Sequence, residues 1–140
     1  MENAAEERFW QIVEAGDFSL FITRGGKGGS PRTRPMTLLA YEESGVLWYA
    51  TSAASRKLEE ISEDDRVTAC FLDVEGGAYA QVYGRAEVVS DPDTKKEFWE
   101  DEWTEFWSGH SDPDYILLKV IGEQAEFHLV DADELWVIDF

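Results

Sequence analysis

The stretch R-P-M-T-L-L-A-Y-E-E-S-G-V-L-W-Y-A-T-S-A-A-S-R-K, residues 34 to 57, decides how this chain is read. Its spacing predicts a strand over Arg32 to Glu42, a turn at Glu43-Ser44-Gly45, and an antiparallel partner over Val46 to Ala50. A helix is expected next, from Ala53 to about Ser62, capped by Thr51 or Ser52. Charge sets the region apart. The chain carries a formal charge of -18, yet residues 18 to 57 hold six cations (Arg24, Lys27, Arg32, Arg34, Arg56, Lys57) against Glu42 and Glu43. That segment is +4, so the remainder is -22. Cations kept together in so acidic a chain suggest a bound anion; the alternative is a set of surface cations balancing the acids.

Composition narrows the function classes. At 140 residues one domain over 1–140 is expected, and the aromatic content supports a sizeable core. Six Trp among nineteen aromatics exceed the needs of one small core, so some are expected at a ligand site or a subunit interface. The acidic surplus excludes nucleic acid and anionic membranes as expected partners. It suits solubility first, with a high-salt cytoplasm as the second reading. Cys70, the single cysteine, lies in an apolar run and is expected to be a buried, inert thiol. The N-terminus lacks the basic and apolar regions of a signal peptide, and no apolar run reaches the length of a membrane span, so a cytoplasmic protein is expected.

Outward from the central stretch, residues 2 to 15 place Phe9, Ile12 and Val13 on one stripe of a helix ended by Gly16. Asp17 to Arg24 alternates as a strand covered on both faces. The run G-G-K-G-G-S-P-R (25–32) lacks the spacing of a nucleotide loop and leads into a strand, so a flexible hairpin connection is expected. Glu59 to Asp65 reads as a solvated acidic run. Arg66 to Asp73 and Ala78 to Val89 form a hairpin around Gly76-Gly77, with Gly84 marking a bulge or close backbone approach. Ser90-Asp91-Pro92-Asp93 has the chemistry of a helix start, and the same tetrapeptide recurs at 111–114 without a metal-ligand cluster beside it. The helix is expected from about Asp91 to Trp107, with Trp99, Trp103, Phe106 and Trp107 on one face. That face suits core packing, and equally a partner subunit or a planar ring. Tyr115 to Ile121, Gln124 to Val130 and Leu135 to Phe140 read as closing strands. Seven or eight mostly antiparallel strands with two or three helices make a mainly β fold, a small barrel with peripheral helices.

No nucleophile, base and orienting group fall into a motif, and His110 and His128 have no motif partner. Reactivity would have to come from a cofactor. Arg34, Thr51, Ser55, Arg56 and Lys57 converge in the expected hairpin and helix start. A phosphate there would meet a guanidinium, an ammonium, hydroxyls and helix-start amides.

The ordered set R-P-M-T-L, W-Y-A-T-S-A-A-S-R-K, Val82-x-Gly84-x-Ala86, the Trp-rich helix and Asp112 to Asp114 before Leu117-Leu118 resembles the pyridoxamine 5'-phosphate oxidase-like superfamily, in its general stress protein 26 branch. The resemblance implies a six-to-eight-stranded antiparallel split β-barrel, homodimeric, with FMN at the subunit interface. It implies that Arg34, Arg56 and Lys57 hold the phosphate with Thr51 and Ser55, and that Met36, Thr37 and Ala50 face the flavin ring. Trp107 and its neighbours would approach from the other subunit. The implied activity is that of a flavin-dependent oxidoreductase with a reduced nicotinamide as electron donor. The alternatives are a non-catalytic, flavin-sequestering protein and a split barrel for another cofactor, a deazaflavin or haem. The chain departs from true pyridoxamine phosphate oxidases, which have an Arg-x-His motif and a closing Arg-Leu-x-Pro: no arginine follows Arg85. Tyr79 stands where those oxidases place a flavin-side Gln, and His128 where the stress branch has Trp. A borrowed substrate is therefore not expected.

Overall fold

A computed structural model describes residues 4–16, 18–25 and 27–140, apart from the Lys27 side chain. The expected helix start at residue 2, Asp17 ahead of the first strand, and Gly26 with the Lys27 side chain lie outside the described residues. Helix α1 (Ala4–Ala15) buries Phe9, Trp10, Ile12 and Val13, the stripe its periodicity predicts plus Trp10. Eight strands follow: β1 (Ser19–Thr23), β2 (Arg32–Met36), β3 (Ala40–Glu42), β4 (Val46–Ser52), β5 (Arg66–Asp73), β6 (Ala78–Val89), β7 (Tyr115–Leu129) and β8 (Glu134–Asp139). Helix α2 (Arg56–Glu63) links β4 to β5, and α3 (Pro92–Phe98) lies between β6 and β7.

All pairings are antiparallel, in the order β2-β1-β5-β6-β7-β4-β3, with β8 on the distal half of β7. The two ends of that path, β2 and β3, are consecutive in sequence. Thr37 to Leu39 alone joins them, and a chain of that length reaches at most about 14 Å. The sheet must therefore curl until its edges nearly meet without a hydrogen-bonded seam. This is the split barrel the resemblance implied. Its core is packed by Phe21, Leu47, Tyr49, Phe71, Val82, Val120 and Phe127, all at most 2 % exposed.

The expected Arg32–Glu42 strand is thus two strands on opposite edges. Pro35, which cannot donate to a ladder, is tolerated because β2 is an edge strand. Arg34 and Thr51 do not share a hairpin, since Arg34 pairs with Phe21 and Thr51 with Ile116. The β5–β6 hairpin is as read. Gly84 serves both expected roles: the β6–β7 register shifts at Tyr83/Gly84, and a Cβ there would stand 2.3 Å from the Ile121 carbonyl oxygen. The two strands expected over 115–130 are one, because β6 pairs along nearly its whole length.

Three further expectations are corrected. Helix α2 starts at Arg56, not Ala53; Thr51 and Ser52 remain in β4, and Ser55 is the cap position without a side-chain capping bond. Asp91 does cap α3, accepting from the Thr94 N–H at 3.0 Å, but the helix ends at Phe98. Trp99 and Glu100 are extended, and a short 3₁₀ turn follows over Asp101–Glu105. Acids crowding what would be the negative end of a longer helix disfavour its continuation. Cys70 is only half-buried, on the outward face of β5.

Candidate functional site

The split between the two sheet edges opens into a cleft of about 490 Å³. Pro35 and Met36 come from the end of β2, Thr37 and Leu39 from the crossing segment, Ala50 and Thr51 from β4, and Lys57 from α2; Glu100, Glu102, Trp103, Phe106 and Trp107 close the far side. Of the residues expected to hold or face a cofactor, Met36, Thr37, Ala50, Thr51, Lys57 and Trp107 share this one wall-to-wall space. Arg34, Ser55 and Arg56 do not line it.

Buried bonds fix the floor. Ser19 Oγ donates to the Met36 carbonyl at 3.1 Å and shares a 2.8 Å hydrogen bond with the Tyr49 hydroxyl. Both side chains are fully buried, so the end of β2 is tied to the core directly beneath the cleft.

At the polar end, Lys57 Nζ donates to Thr51 Oγ1 and to Ser55 Oγ, each at 2.7 Å. Ser55 Oγ is thereby engaged with the lysine, not with the backbone of its own helix. Among the described residues no carboxylate lies within ion-pair distance of Lys57. Partial burial, then the nearby Arg34 guanidinium, hold its pKa below the ordinary lysine value, with Glu60 opposing. An ammonium that is desolvated and solvated by hydroxyls alone is an incomplete anion site.

Behind it lies an ionic cluster around the buried Glu60. Arg34 donates to Glu60 Oε1 at 2.6 Å, to Thr23 Oγ1 at 3.0 Å and to the Arg32 carbonyl at 3.2 Å. Thr23 Oγ1 donates to the same Glu60 oxygen at 2.7 Å, and Arg56 Nε reaches Glu60 Oε2 at 3.2 Å. Burial pushes the Glu60 pKa up, but the Thr23 and Arg34 hydrogen bonds and the two guanidinium charges outweigh it and hold the carboxyl below its ordinary value. Glu60 is 5 % exposed, so the expected solvated acidic run is wrong at its second residue. Its spacing of four from Arg56 on one helix was the available signal. Arg34 had none, because its contact crosses from β2 to α2.

The aromatic wall is a cluster around Tyr115. Trp99, Trp103 and Trp107 stand with ring centroids 5.2, 5.8 and 5.1 Å from the Tyr115 ring. The Tyr115 hydroxyl donates to the Lys95 carbonyl at 2.9 Å, and burial raises its pKa to about 12. Asp114 locks Trp107 in place, accepting from the indole Nε1 at 3.2 Å and from the Ala54 N–H at 3.2 Å. The recurring tetrapeptide at 111–114 is therefore a clamp between the aromatic wall and the segment before α2. No metal-binding group occurs among the described residues. Trp107 lines the cleft together with Met36 and Lys57 of the same chain. Phe106 projects from the rim with 71 % of its surface exposed. Glu100 and Glu102 face the same space, and burial followed by the Glu102 hydrogen bond and charge raises the Glu100 pKa.

The donor set fits a phosphate monoester attached to a flat, largely apolar ring system. The Lys57 ammonium with its two hydroxyl partners stands on one wall, and aliphatic and indole surface lies along the others, with Glu100 and Glu102 beside the indoles.

Comparison with known proteins places the chain. The sequence pattern of the family described as "Pyridoxamine 5'-phosphate oxidase like" matches residues 4–137. General stress protein 26 of Bacillus subtilis is 28% identical over 109 residues, 76% of this chain and 75% of that protein. Protein bli-3 of Neurospora crassa is 32% identical over 83 residues, 59% of this chain but 40% of that longer protein. Among solved structures, a protein from Clostridium acetobutylicum described as related to general stress protein 26 superposes with a TM-score of 0.85 at 20% identity, covering 100% of this chain and 97% of that one. A pyridoxamine 5'-phosphate oxidase-related, FMN binding protein from Nostoc punctiforme gives 0.68 at 15% identity, covering 97% and 92%. These structural likenesses establish the shared fold.

Proposed function

Since the chain belongs to the pyridoxamine 5'-phosphate oxidase-like family, we propose that its cleft holds FMN and that the protein is a flavin-dependent oxidoreductase of the general stress type. The observation that carries this reading is Lys57, a partly buried ammonium with no carboxylate at ion-pair distance among the described residues, lining a cleft that also holds Trp103 and Trp107. Lys57 would hold the phosphate, with Thr51 and Ser55 turning their hydroxyls between lysine and ligand. Arg34 and Arg56 would add positive potential from behind. Met36, Thr37 and Ala50 would present backbone to the ring, and Trp103 and Trp107 would exclude water from its other side. Bound flavin supplies the redox chemistry, and the protein's part is to bind, orient and shield it. The relative from Nostoc described as FMN binding supports this assignment.

A second copy of the chain would cover the open length of the cleft, making a homodimer with the flavin at the interface. The absence of any arginine after Arg85 argues against pyridoxamine phosphate as substrate, because the Arg-x-His and Arg-Leu-x-Pro arginines of true oxidases have no counterpart here. Titration with FMN and with riboflavin tests the assignment. FMN should bind at least tenfold more tightly, since a charge-assisted phosphate contact contributes roughly 1.5–3 kcal/mol. Anaerobic bleaching of the yellow complex by NADH or NADPH would identify an oxidoreductase; a complex that stays yellow would identify a flavin carrier.

A further inference from the structure

We propose that Glu60 is an internal counter-anion that offsets one of the two guanidinium charges, Arg34 and Arg56, behind the phosphate end of the cleft, and that it thereby sets how tightly the site holds that phosphate. The inference rests on the flavin reading of the cleft and adds a residue to its phosphate end. Both Glu60 oxygens are committed, one to Arg34 and Thr23 and the other to Arg56. Glu60 as a whole is 5 % exposed. Gly25 packs its backbone so closely on this turn of α2 that a Cβ there would lie 1.8 Å from the Glu60 carbonyl oxygen.

The groups facing the carboxylate are Thr23 from β1, Arg34 from β2, and Arg56 and Lys57 from α2; Arg24, Arg32, Glu59, Glu63 and Asp64 line the open groove on its other side. Arg34, Arg56 and Lys57 without Glu60 would total +3 behind the phosphate; with it they total +2. Arg34 does not need Glu60 to stay in place, because Thr23 and the Arg32 carbonyl also hold it. Replacing the carboxylate by its amide therefore changes the charge more than the geometry. Phosphate selectivity, and not ring binding, is what such a residue controls.

The test is Glu60→Gln compared with wild type for FMN and riboflavin. One charge at a separation of several ångströms in an intermediate dielectric changes affinity about tenfold. FMN should bind E60Q about tenfold more tightly, and riboflavin equally well in both proteins. An unchanged or weaker FMN affinity in a folded E60Q would overturn the inference while leaving flavin binding intact. Failure of wild type to bind FMN would overturn both. If E60Q does not fold, wild type gives the same answer by reciprocity. The Glu60 carboxyl resonance should titrate about one pH unit higher with FMN bound than with riboflavin bound. Equal titration in the two complexes would overturn the inference.

Discussion

Lys57 carries the most direct consequence at the scale of single residues. Its folded pKa is depressed below 10.5 by burial and by Arg34, and phosphate binding favours its charged form. FMN affinity should be full below the free protein's Lys57 pKa and fall as pH rises through it, with the fall beginning below 10.5. In Lys57→Met this alkaline loss should disappear, because the variant is weak at every pH; an unchanged profile in the variant would place the titrating group elsewhere. Arg34 is a poorer probe. Its removal would break the shorter of Glu60's two ion pairs, and breaking a buried pair costs about 3–5 kcal/mol of stability regardless of any ligand. The cation surplus between residues 18 and 57 made Lys57 visible in the sequence. It did not reveal that Arg34 and Arg56 are shared with a buried acid, because a carboxylate within an acidic run looks solvated until the fold shows which oxygen meets which guanidinium.

At the scale of elements, the strand pattern was legible where alternation and turn glycines coincide, as in β5–β6. It failed where one apolar run serves two edges. Nothing in R-T-R-P-M-T-L-L-A-Y-E says that the chain leaves one sheet edge at Met36 and joins the other at Ala40, although Pro35 is a reason for β2 to be an edge. The overlong helix prediction at 91–107 has a similar cause. Trp99, Trp103 and Trp107 have helical spacing but are gathered by Tyr115, which packs against all three from β7. Gly84→Ala should destabilise the fold by about 1–3 kcal/mol, because the new Cβ meets backbone and not a movable side chain. A denaturant midpoint equal to wild type would mean that β6 and β7 can separate there. Asp114→Ala should cost about 1 kcal/mol and weaken FMN binding, since it frees Trp107 and the Ala54 amide together. Flavin affinity equal to wild type would remove Trp107 from the site.

The whole molecule is governed by its charge and by the split. A formal -18 on 140 residues means net self-repulsion in the folded state, so moderate salt should raise Tm by screening it. A Tm that falls between 0.05 and 0.5 M NaCl, roughly the span over which screening becomes effective, would show that ion pairs such as Arg34–Glu60 outweigh the repulsion. Salt should weaken FMN binding over the same span while leaving riboflavin unaffected, because one interaction is ionic and the other is not. The split barrel was legible as a class from strand count and resemblance. That the cleft is the split itself was not, because it depends on the three residues that bring the two sheet edges together. No helix among the described residues is long and apolar enough to cross a membrane.

Whether Lys57 anchors a flavin phosphate in the split of the barrel is decided by titrating wild type and Lys57→Ala with FMN and riboflavin. Wild type should prefer FMN by at least about tenfold, and the substitution should abolish this preference while leaving riboflavin binding nearly unchanged. Equal FMN affinity in wild type and Lys57→Ala would contradict that anchoring role.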